Sequence, residues 1–116
     1  MPAAPPVLPP AGSPCQPDCP VALAARILDG RWTTRILRDL LGGTRRYSEL
    51  LHSLSGISPK MLSQRLRFLE QEGLIEKTTY PTVPPRTDYR LTPLGRQVRP
   101  VVEAMAAFGR QLTPSG

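Results

Sequence analysis

The residues best equipped for chemistry lie between Ile57 and Lys77, in the run ISPKMLSQRLRFLEQEGLIEK. Lys60, Ser63, Gln64, Arg67 and Gln71 recur at helical spacing, so at about 100° per residue they gather into one narrow stripe of hydrogen-bond donors. Leu62, Leu66 and Leu69 fall on the other side, and Glu70 and Glu72 lie off the axis of the stripe. An ordinary solvated face mixes acids and bases. A face of Lys, Arg, Gln and Ser suits the major groove of DNA, where Gln pairs with adenine and Arg with guanine. Ser63, Gln64 and Arg67 are therefore the candidate base readers, with Ser58 and Lys60 at the helix start as candidate phosphate contacts. Met61, on the flank, suits either the core or a thymine methyl, and Arg65 points to the opposite flank, where a structural role is expected.

A second chemistry is that of a thiol. If Pro20 is the first residue of a helix, Cys19 occupies its N-cap, a slot usually held by Ser, Thr, Asp or Asn. The positive end of a helix dipole, with basic residues nearby, favours the reactive thiolate. Cys15 is then a candidate resolving partner, within the chain or across a dimer, which makes Cys19 and Cys15 the candidate redox-sensing residues. The alternative is a small, partly buried apolar filler.

Other chemistries find little support. A single histidine, His52, best read as a surface residue, leaves too few soft ligands for a closed zinc site and argues against most acid–base enzymes. There is no phosphate-binding glycine loop, so no cofactor is expected. A formal charge of +6 favours a polyanionic partner. No apolar run approaches the ~18 residues of a spanning helix, and the start lacks a secretory pattern. The expected setting is the cytoplasm, with no membrane partner.

The elements that must position these residues can be read from caps and periodicity. Residues 1–18 hold seven prolines and no Lys or Arg, the composition of a disordered arm. Pro20 begins a short helix ending at Gly30, and Trp32 to Leu41 makes a second, stopped by Gly42-Gly43. Arg45-Arg46-Tyr47 suits a short strand, and Ser48 to Leu54 a third helix with Leu50, Leu51 and Leu54 inward. The turn Ser55-Gly56-Ile57 leads into the donor-striped helix, capped by Ser58-Pro59 and ended by Gly73. Two helices joined this tightly form a helix-turn-helix. Leu74 to Tyr80 and Asp88 to Leu91 read as strands around the loop PTVPPRT, a stiff wing presenting Arg86. One of Arg45 and Arg46, just before the third helix, is expected to touch the DNA backbone.

Thr92-Pro93 starts a final helix with Leu94, Val98, Val101, Val102, Met105, Phe108 and Leu112 at 3–4-residue spacing. One small winged helix cannot cover so long an apolar face. Pairing with the first helix of a second copy would, giving Val21, Ala24, Leu28, Val101, Val102, Met105, Phe108 and Leu112 as the expected dimer interface. The fold class is mainly α with a small β-wing: a winged helix-turn-helix with extra N- and C-terminal dimerisation helices. It occupies residues 19–112, followed by a tail at 113–116.

The chain from CPV at Cys19 through GRWTTRILRDLLGG, RRYSEL, GISPKMLSQRLRFLEQEGLI, YPTVPPRTDYRLTPLG and AAFG resembles an HxlR-type transcriptional regulator. The likeness covers nearly all of residues 19–112, and ISPKML, the VPPR wing and YxLTPLG together make it specific. It implies a homodimeric DNA-binding regulator with dimer contacts from the first and last helices. It also implies, for some members, sensing of oxidants or electrophiles through a cysteine at the place of Cys19. The proline-rich arm and Cys15 depart from the pattern. The expectation is a homodimeric regulator, a repressor before an activator, on double-stranded DNA with an inverted-repeat operator and an oxidant or small-molecule effector. Two other readings stay open. One is control by an aromatic ligand held between the dimer helices, with Trp32, Met105 and Phe108 as its walls. The other is a winged-helix module that binds protein.

Overall fold

The computed structural model describes residues 18–112 together with Gly12 and Gln16. The rest of the proline-rich arm, with Cys15, and the tail at 113–116 lie outside the described residues. Proline and glycine punctuate the described chain. Pro20 opens helix α1, Pro20–Leu28, and Gly30 turns the chain at φ +90°. Helix α2, Thr33–Leu41, follows Trp32 at its N-cap. Strand β1, Arg45–Arg46, leads directly into α3, Tyr47–Ser53. Tyr47 is thus the first residue of a helix, where a strand end was expected.

The stripe-bearing helix is α4, Pro59–Gln71. Gly73, at φ +78°, ends it, and the Leu74 amide returns to the Leu69 carbonyl. Strands β2, Ile75–Tyr80, and β3, Arg86–Leu91, form the wing, in an antiparallel sheet of order β1-β3-β2. The second wing strand therefore starts at Arg86, two residues before the expected Asp88, and the loop shortens to 81–85. The cause is pairing: Tyr80 is the register partner of Arg86, and Thr79 of Thr87.

The core forms where the apolar faces meet. Ile36, Leu37 and Leu40 of α2 pack with Leu50 and Leu54 around α3, with Leu62, Leu66 and Leu69 of α4, and with Ile75, Tyr89 and Leu91 of the wing. Leu62, Leu66 and Leu69 are the three residues that the periodicity turns inward. Leu51, also expected inward, is half-buried against this core.

The final helix is not continuous. Thr92 caps α5, Pro93–Arg96, by accepting from the Gly95 amide at 3.0 Å, and α6 then runs Arg99–Leu112. Between them the Gln97 and Val98 amides turn to the carbonyls three residues back. Pro100 has no N–H to offer the Arg96 carbonyl, so the helical ladder cannot run through. Gly95 makes the corner possible, because a Cβ there would overlap the Leu74 carbonyl oxygen. Neither α1 nor α6 buries a residue fully, and Val21, Val101, Met105, Phe108 and Leu112 are exposed. No helix among the described residues is long and apolar enough to cross a membrane.

Candidate nucleic-acid interface

Burial of Leu62, Leu66 and Leu69 fixes the rotation of α4, so the opposite face must meet solvent. Lys60, Ser63, Gln64, Arg67 and Gln71 are all exposed there. Ser58 caps the helix, its Oγ accepting the Met61 amide at 3.1 Å, which leaves the hydroxyl proton to donate outward. Met61 is half-buried and packs against the core. Arg65 turns its guanidinium toward Gly30, at the α1–α2 turn and away from the stripe, where an added Cβ would be in van der Waals contact with it.

Tyr47 joins this face to the helix before it, and no motif marked it as a functional residue. Its hydroxyl donates to the Pro59 carbonyl at 3.1 Å and shares a hydrogen bond with Ser63 Oγ at 3.2 Å. Ser63, a candidate base reader, is therefore held by a neighbour on α3. The available signal was an aromatic residue directly after two arginines, a common pattern with no fixed meaning.

Arg45 and Arg46 take different places. Arg45 folds back on its own turn, donating to the Thr44 carbonyl at 3.2 Å and lying against Gly42. Arg46 is exposed at the N-cap of α3, and its amide donates to Glu49 Oε1 at 2.8 Å. An open cleft of about 520 Å³ lies between the start of α3 and the wing, lined by Arg46, Tyr47 and Ser48 and by residues 82–87. Tyr47 touches both the cleft and Ser63, so the stripe and the cleft are parts of one surface.

Arg86 stands at the cleft wall, in a strand and not at a loop tip. Its Nε and Nη2 donate to the two Asp88 carboxylate oxygens, each at 2.9 Å. Its guanidinium carbon lies 5.3 Å from the centre of the Tyr80 ring. Residues two apart share a face of a strand, so Arg86, Asp88 and Arg90 all project from the outer side of β3. Arg46 is the register partner of Asp88, and Glu76 that of Arg90. Arg90 is tied to Glu76 at 3.0 Å and to Thr78 Oγ1 at 2.9 Å. The Arg86 hydrogen bond holds the Asp88 carboxyl below the usual carboxylate range, with desolvation opposing and the charges of Arg86, Arg46 and Arg90 assisting.

Cys19 occupies the N-cap of α1, where its Sγ accepts the Ala22 amide at 3.2 Å, and it is half-buried. At the other end of the same helix, Arg26 pairs with Glu72 at the end of α4, at 2.7 Å. Trp32 belongs to the core, with Arg31 and Arg35 each 4.7 Å from its ring centre. Met105 and Phe108 are exposed on α6. His52 is exposed, as read from the sequence.

Residues 27–115 match the family described as HxlR-like helix-turn-helix. An HTH-type transcriptional regulator of Synechocystis sp. is 44% identical over 91 residues, 78% of this chain and 67% of the relative. A crystal structure from Porphyromonas gingivalis, described as a transcriptional regulator of the MarR family, superposes with a TM-score of 0.81 at 43% identity, covering 84% of this chain and 96% of that one. The redox regulator HypR in its oxidised form superposes with a TM-score of 0.77 at 30% identity, covering 84% of this chain and all of HypR (100%).

Proposed function

Because the chain belongs to the HxlR-like helix-turn-helix family of transcriptional regulators, we propose that it acts as a homodimer that reads an inverted-repeat DNA site, chiefly as a repressor. The observation that carries the reading is the exposed stripe on α4, which is free of acids along its axis and backed by a fully buried row of leucines. Gln64 and Arg67 read base edges, Ser63 does so from the place Tyr47 gives it, and Met61 touches from the flank. Lys60 and Arg46 meet phosphates, with Ser58 and Arg45 shaping the backbone beside them, and Arg86 reaches the duplex from the wing.

The apolar faces of α1 and α6 support the dimer, since Val21, Met105, Phe108 and Leu112 stay exposed among the described residues. Ala24, Leu28, Val101 and Val102 complete that interface. Two-fold symmetry then sets two α4 helices about one DNA turn apart.

A thiol signal is the favoured control. Cys19 caps α1, which is also a dimer helix and is tied to the end of α4 by the Arg26–Glu72 pair. The similarity to HypR, a redox regulator, supports the same reading.

Titration of a labelled promoter duplex by wild type and two variants tests the DNA reading. Arg67→Ala should lower discrimination at one base position by about 1–3 kcal/mol. Lys60→Ala should weaken all duplexes alike and reduce the salt slope by about one unit. Variants that leave DNA affinity unchanged would favour a protein-binding module instead.

A further inference from the structure

An acid on a surface that meets a polyanion is unfavourable, since it repels phosphate. Asp88 nevertheless sits on the outer face of the wing, among Arg46, Arg86 and Arg90. It is only 5% exposed, although Arg86 beside it remains accessible to solvent. Such a group is expected to have a use that outweighs its repulsion.

Resting on the reading of α4 and the wing as the DNA interface, we propose that Asp88 is a positioning residue for DNA recognition. Its carboxylate holds Arg86 as a fixed fork at the wall of the cleft beside Arg46. The geometry is that of a side-on pair. Nε and Nη2 each donate at 2.9 Å to a separate carboxylate oxygen, which fixes the plane of the guanidinium as well as its place. The Tyr80 ring, on the register partner of Arg86, supports that plane from the neighbouring strand. Nη1 makes neither bond to Asp88 and keeps its two N–H groups for the duplex. Arg90 is differently placed, being committed to Glu76 and Thr78 further down the same face. A free arginine loses rotamer entropy when it binds, whereas one already held in a fork has lost it on folding. Asp88 therefore contributes to site-specific binding through order in Arg86, and that contribution exceeds the repulsion it adds.

The sign of the effect separates this role from a bare charge effect. Removing an acid should tighten binding to all DNA, but removing a positioning acid should weaken the specific site while random duplex is bound as well or better. The test is an anisotropy titration of the full chain against a selected site and a random duplex, at several salt concentrations. The proteins are wild type, Asp88→Asn, Arg86→Lys, Arg86→Ala and the double variant Asp88→Asn with Arg86→Ala.

The expected result is that Asp88→Asn lowers the ratio of specific to random affinity about tenfold, as loss of one fixed charge-assisted pair would. Arg86→Lys, which keeps the charge but not the fork, should lower the ratio similarly while preserving the salt slope. It also serves as the decisive variant if Asp88→Asn fails to fold. In the Arg86→Ala background, Asp88→Asn should cost nothing further. Tighter binding of both duplexes by Asp88→Asn, an equal loss in the Arg86→Ala background, or wild-type specificity in Arg86→Lys would each overturn the proposal. A wild-type protein that does not distinguish the two duplexes would instead overturn the DNA reading on which it rests.

Discussion

Cys19 is where a single side chain is asked to do two things, and they can be separated. Its sulfur caps α1 by accepting the Ala22 amide. Serine is a better N-cap and carries no redox chemistry, so Cys19→Ser should keep the helix while removing the thiol. The expected outcome is a melting temperature at or slightly above that of wild type, with DNA retention after exposure to a quinone or peroxide that releases the wild-type protein. A serine variant that still releases DNA on oxidation would contradict thiol control and favour an aromatic ligand between the terminal helices. Caps were legible at this scale. Cys19, Ser58 and Thr92 each precede a proline at the first helical position, and each side chain accepts the amide expected of it. Tyr47 was not legible because its partner Ser63 lies 16 residues away, and Asp88 was not because its pair with Arg86 forms only once both stand on one face of a strand. Arg86, read as a DNA contact from the wing tip, was placed in the loop because the pairing with Tyr80 that draws it into a strand is not visible in the sequence.

Among the elements, the corner between β3 and α5 has the least room for change. Gly95 lies against the Leu74 carbonyl, and the Thr92 amide and hydroxyl bind the Leu74 and Gly73 carbonyls at 3.0 and 2.6 Å. This ties the end of α4, the base of the wing and the start of the C-terminal helices together. Gly95→Ala should cost about 3 kcal/mol or more, at the upper end of overpacking, because the clash is with backbone and not a flexible side chain. Chemical denaturation would measure it, and a loss below about 1 kcal/mol would show that the corner yields. The period of the apolar residues carried through this corner, which is why sequence reasoning made α5 and α6 one helix. Leu94, Val98 and Val101 keep helical spacing, but Pro100 and the tight approach of Gly95 interrupt the hydrogen bonds. The Arg26–Glu72 pair is another tie between elements. Pairing holds Glu72 below the usual carboxylate range, so the tie is present above that range and is lost as pH falls through the lowered value.

At the scale of the whole molecule, a continuous core and an uncovered apolar face set two different limits. The core joins α2, α3, α4 and the wing, and it stands without a fully buried residue from α1 or α6. Phe108, 67% exposed on α6, can therefore be changed without opening the core. Phe108→Glu should give a folded monomer by circular dichroism and sedimentation, with at least a tenfold loss of affinity for a two-half-site duplex as the linkage between half-sites is lost. A dimer that persists in this variant would move the interface elsewhere. The face itself was legible as a periodic run from Val101 to Leu112, but its partner is not written in one chain. Only symmetry and the need to cover apolar surface supply it.

The central claim is that two copies of α4 read one duplex across a two-fold axis. Selection of bound fragments from a random duplex pool by this chain, under reducing conditions, tests this most directly. The prediction is an enriched inverted repeat whose half-site centres lie about 10 base pairs, or one helical turn, apart. Enrichment of a single half-site, or of no sequence at moderate salt, would contradict it.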